Sequence, residues 1–178
     1  MLFRSLELTV AELQGLYGPF VCPERVLQKI WLQGAFALGQ AETGDGRKVV
    51  VKSPGRWNKS SGPDFRDARV WIDGRELIGD VEVHFRVADW MAHNHEVDPE
   101  YARVILHVVL FPPEPGARPA RRADGSELPS LALLPLLQRD LEEHASDDAL
   151  EELTHRNDWE RAVELETLGL EDPEEHTS

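Results

Sequence analysis

Hydrophobic and polar positions alternate in the middle of the chain, where Val81 and Val83 lie between Asp80, Glu82 and His84. Because side chains alternate across a β-strand, the three polar groups share one face and the two valines take the other. Three polar groups in a row on one face of a strand are costly to bury unless they have partners. The pattern therefore predicts a strand that carries a functional site.

Hydrophobic periodicity and turn residues outline the other elements. They predict a helix that begins at Pro23, paired segments at 35–41 and 47–52, strands at 68–72, 76–85 and 104–110, a short helical turn capped by Asp98, and a second helix over 131–144. The order helix, three strands, short helix, strand is typical of an α/β sandwich, in which helices flank a central mixed sheet.

The two ends of the chain differ from this core. Residues 1–22 are weakly patterned and predict a short helical or irregular lead-in, so that a single α/β domain spans 1–144. Residues 145–178 form an acidic tail, with a disordered end over 171–178. Five apolar residues of this tail predict one amphipathic helix: Leu150, Leu153, Trp159, Val163 and Leu165.

Composition bears on the cellular location of the protein. The 178 residues contain no apolar run of membrane-spanning length, and the N-terminus lacks a signal-peptide pattern. The single cysteine, Cys22, has no partner for an internal disulfide and is expected to be a reduced, packed thiol. These features predict a cytoplasmic protein with no membrane contact.

Charge is distributed unevenly along the chain, whose formal net charge is −14. From Asp140 onward there are fifteen acidic residues against two arginines, whereas 47–75 has eight basic residues against three acidic ones. A locally basic segment is where a polyanion such as nucleic acid would bind. The candidate phosphate contacts are Arg56, Lys59, Arg66 and Arg69.

A second acid coincides with this basic segment. Asp64 follows Gly62-Pro63 and lies eighteen residues before Glu82. Pro-Asp, a gap of about this length and then Glu-x-His resembles the signature of the PD-(D/E)xK nucleases, with His84 at the position where those enzymes usually have lysine. The resemblance implies a restriction-endonuclease-like fold and metal-dependent phosphodiester hydrolysis on nucleic acid.

The same resemblance implies roles for individual residues. Asp64 and Glu82, with the carbonyl of Val83, would hold Mg²⁺ or Mn²⁺, because hard cations prefer oxygen ligands. Asp80 would be an extra ligand or would support the ligands by hydrogen bonding, and Glu24 would be an accessory acid on the preceding helix. His84 would act in catalysis, although a histidine is mostly neutral near pH 7 where lysine is a permanent cation.

A broader resemblance covers about half of the chain, from Pro23 to Leu110. Over this stretch the chain resembles the bacterial family catalogued as domain of unknown function 2851, whose members are longer and continue into a helical C-terminal part. The resemblance informs the fold more than the activity. The matching blocks are residues 54–58, 62–65, 79–84, 89–90, 93–95, 98–101 and 104–109.

Two alternatives to a nuclease remain open. His93, His95, Asp98 and His107 have types and spacings compatible with a transition-metal site, which would indicate a non-nuclease metallohydrolase. The chain would otherwise be a catalytically inactive relative that binds nucleic acid or has a structural role. Neither the form of the nucleic acid nor the oligomeric state follows from the sequence.

Overall fold

A central mixed sheet of six strands dominates the computed structural model, which describes residues 10–169. The strands are β1 Val10–Gly15, β2 Gly18–Pro23, β3 Val49–Ser53, β4 Arg56–Trp57, β5 Phe65–Ile72, β6 Arg75–His84, β7 Val104–Val109 and β8 Ser130–Ala132. The helices are α1 Glu24–Gln33, α2 Asp89–Ala92 and α3 Leu141–Leu168. The central sheet has the order β3-β5-β6-β7-β8, with β4 also paired to β5. The prediction of a mixed α/β fold with a central mixed sheet is confirmed.

Strand direction changes in the middle of this sheet. The strands β3, β5 and β6 are antiparallel neighbours, whereas β6, β7 and β8 run parallel. Strand β7 is buried along almost all of its length, as its run of apolar residues predicts for a strand covered on both faces. Val81 and Val83 of β6 are fully buried in the main core. Their packing leaves the opposite face of β6 to Asp80, Glu82 and His84.

Helix α1 covers one part of this core. Its apolar residues Val26, Leu27, Ile30 and Trp31 are buried, and Gly34 ends the helix with a left-handed φ of 62°. The amide of Gly34 donates to the carbonyls of Ile30 and Trp31, which satisfies the last turn. The helix begins at Glu24, directly after Pro23, so the predicted start is correct within one residue.

Two elements differ from the sequence prediction near the ends of the core. The described part of the predicted lead-in is a β-hairpin, β1–β2, whose residues alternate between exposed and half-buried as far as the fully buried Cys22. The predicted helix over 131–144 is wrong, because Leu131 lies in β8 and pairs in parallel with Val108 of β7. Leu131 and Leu133 are fully buried, and such an apolar run has no periodicity that separates a covered strand from a buried helix.

The acidic C-terminal region is helical from Leu141, and the predicted boundary at residue 144 falls inside α3. Only its first half contacts the core, through Leu141, Ala145 and Asp148. Of the five apolar residues predicted for this region, Leu150, Leu153, Trp159 and Val163 are exposed and Leu165 is half-buried. The predicted disorder of 171–178 lies outside the described residues.

An ion-pair cluster fastens α3 to α1. The buried carboxylate of Asp148 accepts hydrogen bonds from Arg25 Nε at 3.0 Å and from Lys29 Nζ at 2.8 Å. Replacing Asp148 by Asn is therefore expected to lower the free energy of unfolding by about 2 kcal/mol, because two partly buried cations lose their counter-charge.

Urea unfolding of this variant checks the expectation. The matched control is Asp147→Asn, since Asp147 is an exposed neighbour on the same helix that pairs with Arg139. The control should change the free energy of unfolding by less than about 0.5 kcal/mol. Equal losses in the two variants would contradict a specific contribution of the α1–α3 cluster.

Among the described helices, α3 is the longest, and neither it nor any other described helix has an apolar stretch long enough to cross a membrane.

Candidate active site

Three carboxylates from different elements lie near enough for their charges to interact. Glu24 occupies the first turn of α1, Asp64 directly precedes β5, and Glu82 lies in β6. The register places Phe65 opposite Val81, so the start of β5 lies beside the middle of β6. The fold thus brings together the two acids of the sequence motif and the accessory acid.

Direct hydrogen bonds link Asp64 to β6. The backbone amide of Asp64 donates to Glu82 Oε2 at 3.0 Å, and the amide of Val83 donates to Asp64 Oδ2 at 2.9 Å. These reciprocal bonds hold the two carboxylates at one place on the sheet. Glu24 approaches from the helix, and its buried Oε2 has no hydrogen-bond partner among the described residues.

Gln28 completes the surroundings of Asp64 and was missed by the sequence analysis. Its amide nitrogen donates to Asp64 Oδ1 at 3.0 Å, and its amide oxygen accepts from the indole of Trp57 at 3.1 Å. The available signal was its position one helical turn after Glu24, which places both side chains on the same face of α1. Gln28 fixes the orientation of the Asp64 carboxylate.

Burial and the repulsion between carboxylates raise the pKa values of this group of acids. Burial, followed by the charges of Asp64 and Glu82, raises the pKa of Glu24 to about 9. Burial also raises the pKa of Glu82 to about 8, against a smaller lowering by the Asp64 amide and the Arg66 charge. The pKa of Asp64 is raised well above its ordinary value by burial and by the Glu82 charge. Acids that repel one another in this way are a recognised feature of functional sites.

An open cleft of about 460 Å³ leads to two of these acids. Glu24, Gln28 and Asp64 lie along it, and Lys59 adds a cation from the loop after β4. The ammonium of Lys59 lies 4.5 Å from the centre of the Trp57 ring. Glu151, Glu152 and His155 of α3 form the opposite wall. A ligand in this cleft would contact Asp64 and Lys59 together.

Asp80 is engaged by groups on β5. Its carboxylate accepts from Arg66 Nη1 at 3.0 Å and from the amide of Asp67 at 3.2 Å. The β5–β6 register shifts between Phe65 and Ala68, where Asp67 adopts a left-handed φ of 56°. Asp80 therefore holds the bulge that follows Asp64.

The four candidate phosphate contacts have different surroundings. Lys59 lines the cleft, whereas the exposed Arg56 pairs with Asp67 at 2.8 Å. Arg66 pairs with the buried Asp80, and Arg69 lies 3.7 Å from Glu76. Lys59 is thus the candidate that shares a surface with Asp64.

His84 lies in a buried set of imidazoles. Its Nδ1 is 2.8 Å from His107 Nε2, which requires one proton between the two rings. Burial and the nearby imidazoles hold the pKa of His84 well below its usual range, and burial lowers the pKa of His107 to about 3. Both rings are therefore neutral, and His84 does not supply the positive charge that lysine would bring to this position.

His93 and His95 fold back onto β6 from the segment after α2. The ring of His95 stacks on the His84 ring with centroids 5.3 Å apart, and the His93 ring lies 4.8 Å from the His84 ring. One nitrogen from each of these three imidazoles lies within 4.8 Å of the other two. Among the described residues, these three side chains are the group of potential metal ligands that lies close enough together to hold one ion. The group combines His84 with His93 and His95, two members of the predicted histidine site.

The remaining members of the predicted histidine site have other contacts. Asp98 accepts a hydrogen bond from the amide of Glu100 and so caps the following 3₁₀ turn, as the sequence predicts. His107 contacts the cluster through His84. Glu82 joins the two parts of the site, because its Oε1 lies 3.3 Å from His84 Nε2 and 3.2 Å from His95 Nε2.

The fold and these contacts define a mixed α/β domain with a polar, partly buried site on its central sheet. The chain belongs to the family described as Protein of unknown function (DUF2851), whose profile matches residues 24–160. The match includes α1, the central sheet and most of α3. No curated protein and no solved structure matches the chain.

Proposed function

We propose that the protein is a metal-dependent phosphodiesterase of PD-(D/E)xK type that acts on nucleic acid. The observation that carries this proposal is the convergence of Glu24, Asp64 and Glu82, whose pKa values are all raised. Neighbouring carboxylates repel one another, and a divalent cation would remove this repulsion.

The order of the elements supports the same proposal. Helix α1 is followed by the antiparallel strands β3, β5 and β6, and then by β7, which is parallel to β6. This order suits a restriction-endonuclease-like sandwich. Some of the nucleases that the motif resembles add a glutamate from the preceding helix to their two acids. Asp64 before β5, Glu82 in β6 and Glu24 at the start of α1 support this resemblance.

The donor set fits a hard cation such as Mg²⁺ or Mn²⁺. Asp64 and Glu82 would hold it through carboxylate oxygens, and Glu24 offers an oxygen that lacks a partner among the described residues. When bound, the cation supplies an activated water and neutralises negative charge that develops on the phosphate. Asp80 would support this arrangement by holding the bulge beside Asp64.

Side chains around the carboxylates would orient Asp64 and position the phosphate backbone. Gln28 keeps the Asp64 carboxylate in one orientation through its bond at 3.0 Å. Lys59, in the same cleft, would attract the phosphate backbone and position it over Asp64, as phosphate contacts do without reading the base sequence. His84 would act as a neutral imidazole beside Glu82, with its Nε2 3.3 Å from Glu82 Oε1.

Labelled single- and double-stranded DNA and RNA, incubated with the full chain, provide the test. We expect cleavage with Mg²⁺ or Mn²⁺ and none after chelation with EDTA. Salt-dependent binding of nucleic acid without cleavage would indicate a binding module and would contradict the proposal. Cleavage that persists in EDTA would contradict the metal-dependent mechanism.

A further inference from the structure

We infer that His84, His93 and His95 form a second metal site, on the other side of Glu82 from Asp64, that takes a divalent transition-metal ion such as Zn²⁺. Imidazole nitrogens are ligands for zinc and neighbouring transition metals, whereas Mg²⁺ prefers oxygen. The inference rests on the imidazole cluster and holds whether or not the protein cleaves nucleic acid.

The geometry of the cluster requires only small rotations for binding. Its three ligand nitrogens lie within 4.8 Å of one another. Zinc–nitrogen bonds of about 2.0–2.1 Å place the nitrogens of a tetrahedral site about 3.4 Å apart. His93 is the most exposed of the three rings and lies in a loop, so its side chain is the one that can close the triangle.

The protonation of the cluster also favours a cation. His84 is 1% exposed, and its Nε2 has no hydrogen-bond partner among the described residues. With Nε2 free of a proton, the Nδ1–H of His84 donates to His107 Nε2 at 2.8 Å. A metal-binding histidine commonly donates its second ring nitrogen in this way, which fixes the tautomer and the ring orientation. His107 would thus be a positioning residue behind the ligands.

Glu82 offers a fourth donor to the same ion. Its Oε1 lies within 3.3 Å of both His84 Nε2 and His95 Nε2, while its Oε2 accepts from the Asp64 amide. The two oxygens of one carboxylate therefore face the two parts of the site. Three imidazoles and one carboxylate oxygen complete the four ligands that zinc usually takes in proteins.

The surrounding residues hold the loop that carries His93 and His95. The Tyr101 ring stacks on the His95 ring with centroids 3.7 Å apart. Trp90 is fully buried against His95 and His107, and its indole donates to the carbonyl of Arg121 at 2.8 Å. This packing orders the loop, so little conformational freedom remains to be lost when a metal binds.

Titration of the metal-free full chain with Co²⁺, followed by visible absorption and by competition with Zn²⁺, tests the inference. We expect one ion per chain and an absorption typical of tetrahedral nitrogen–oxygen ligation. His93→Ala should weaken the affinity at least about 10-fold, since it removes one of few ligands, and its exposed position makes loss of folding unexpected. The matched control is His155→Ala, an exposed histidine on α3.

The outcomes separate this inference from the proposed function. Absence of Co²⁺ and Zn²⁺ binding, or equal binding by wild type and His93→Ala, would overturn the histidine site. Binding that is lost in Asp64→Asn but kept in His93→Ala would place the ion at the carboxylates and would also overturn it. Zinc binding that depends on His93 in a protein without Mg²⁺-dependent cleavage would support the site and leave the proposed hydrolysis without support.

Discussion

Glu82→Gln is expected to abolish metal-dependent cleavage and at the same time to stabilise the metal-free protein at alkaline pH. The carboxylate of Glu82 would be a metal ligand, and an amide is a much weaker one. Because the metal would contribute several kcal/mol to the transition state, kcat/KM should fall by at least about 10³-fold. Mg²⁺-dependent cleavage of a labelled substrate measures this loss.

The gain in stability follows from the surroundings of Glu82. Its pKa of about 8 shows that the charged form is unfavourable in the folded, metal-free protein. A glutamine of the same shape keeps an oxygen for the Asp64 amide and brings an uncharged NH₂ group close to His84 Nε2, so no buried charge remains at this position. At pH 9 we expect the free energy of unfolding to rise by about 2–4 kcal/mol, and at pH 5 to change little.

Glu76→Gln is the matched control, because it makes the same substitution at an exposed position of the same strand. It should leave cleavage unchanged and alter the free energy of unfolding by less than about 0.5 kcal/mol. If Glu82→Gln retained cleavage, Glu82 would not be a ligand. If it lost both cleavage and stability at pH 9, its contribution would be to the fold rather than to a metal site.

The central part of the fold was predictable because its pattern repeats locally. Alternation in β6 correctly separated Val81 and Val83 from the polar residues on the opposite face, and the continuous apolar run of β7 predicted a covered strand. The same use of local pattern gave a wrong prediction for β8, which was predicted to be part of a helix. Its residues are apolar on both faces, and the pairing with β7 that makes it a strand is a long-range contact. Local periodicity carries no information about that contact.

The candidate site was predictable to a similar extent. The resemblance to a nuclease motif predicted that Asp64 and Glu82 share a site, and in the structure the Asp64 amide donates a hydrogen bond to Glu82. The contact of Arg66 with Asp80 and the return of His93 onto β6 depend on a bulge and on a loop. Such irregular segments have no period from which side-chain positions follow.

The stability of the metal-free protein is expected to depend strongly on pH, with a maximum near about pH 4.5. In unfolded chains carboxylic acids titrate near pH 4 and histidines near 6.5. In the folded protein the pKa values of Glu24 and Glu82 are raised to about 9 and about 8, and that of Asp64 is also raised. The pKa values of His84 and His107 are lowered.

The sign of each effect follows from which state holds more protons. Above pH 6.5 the folded protein keeps protons on the acids that the unfolded chain has already released, so stability falls as pH rises toward 9. Below about pH 4.5 the unfolded chain protonates histidines that the fold keeps neutral, so stability falls as pH decreases. Between these limits the three acids outweigh the two histidines by about one proton, so stability falls slowly as pH rises. Each proton of difference changes the free energy of unfolding by about 1.4 kcal/mol per pH unit.

Thermal unfolding between about pH 3 and pH 9, with and without saturating Mg²⁺, measures the loss of stability on both sides of the maximum. A cation at the carboxylates favours their ionised forms, so Mg²⁺ should raise Tm more at pH 8.5 than at pH 5.5, where protons compete for the same oxygens. Glu82→Gln removes one of the three acids and should reduce the alkaline slope by about one proton. A metal-free protein whose stability stays level from pH 6 to pH 9 would contradict the raised pKa values. Equal effects of Mg²⁺ at the two pH values would instead place any bound cation away from Glu24, Asp64 and Glu82.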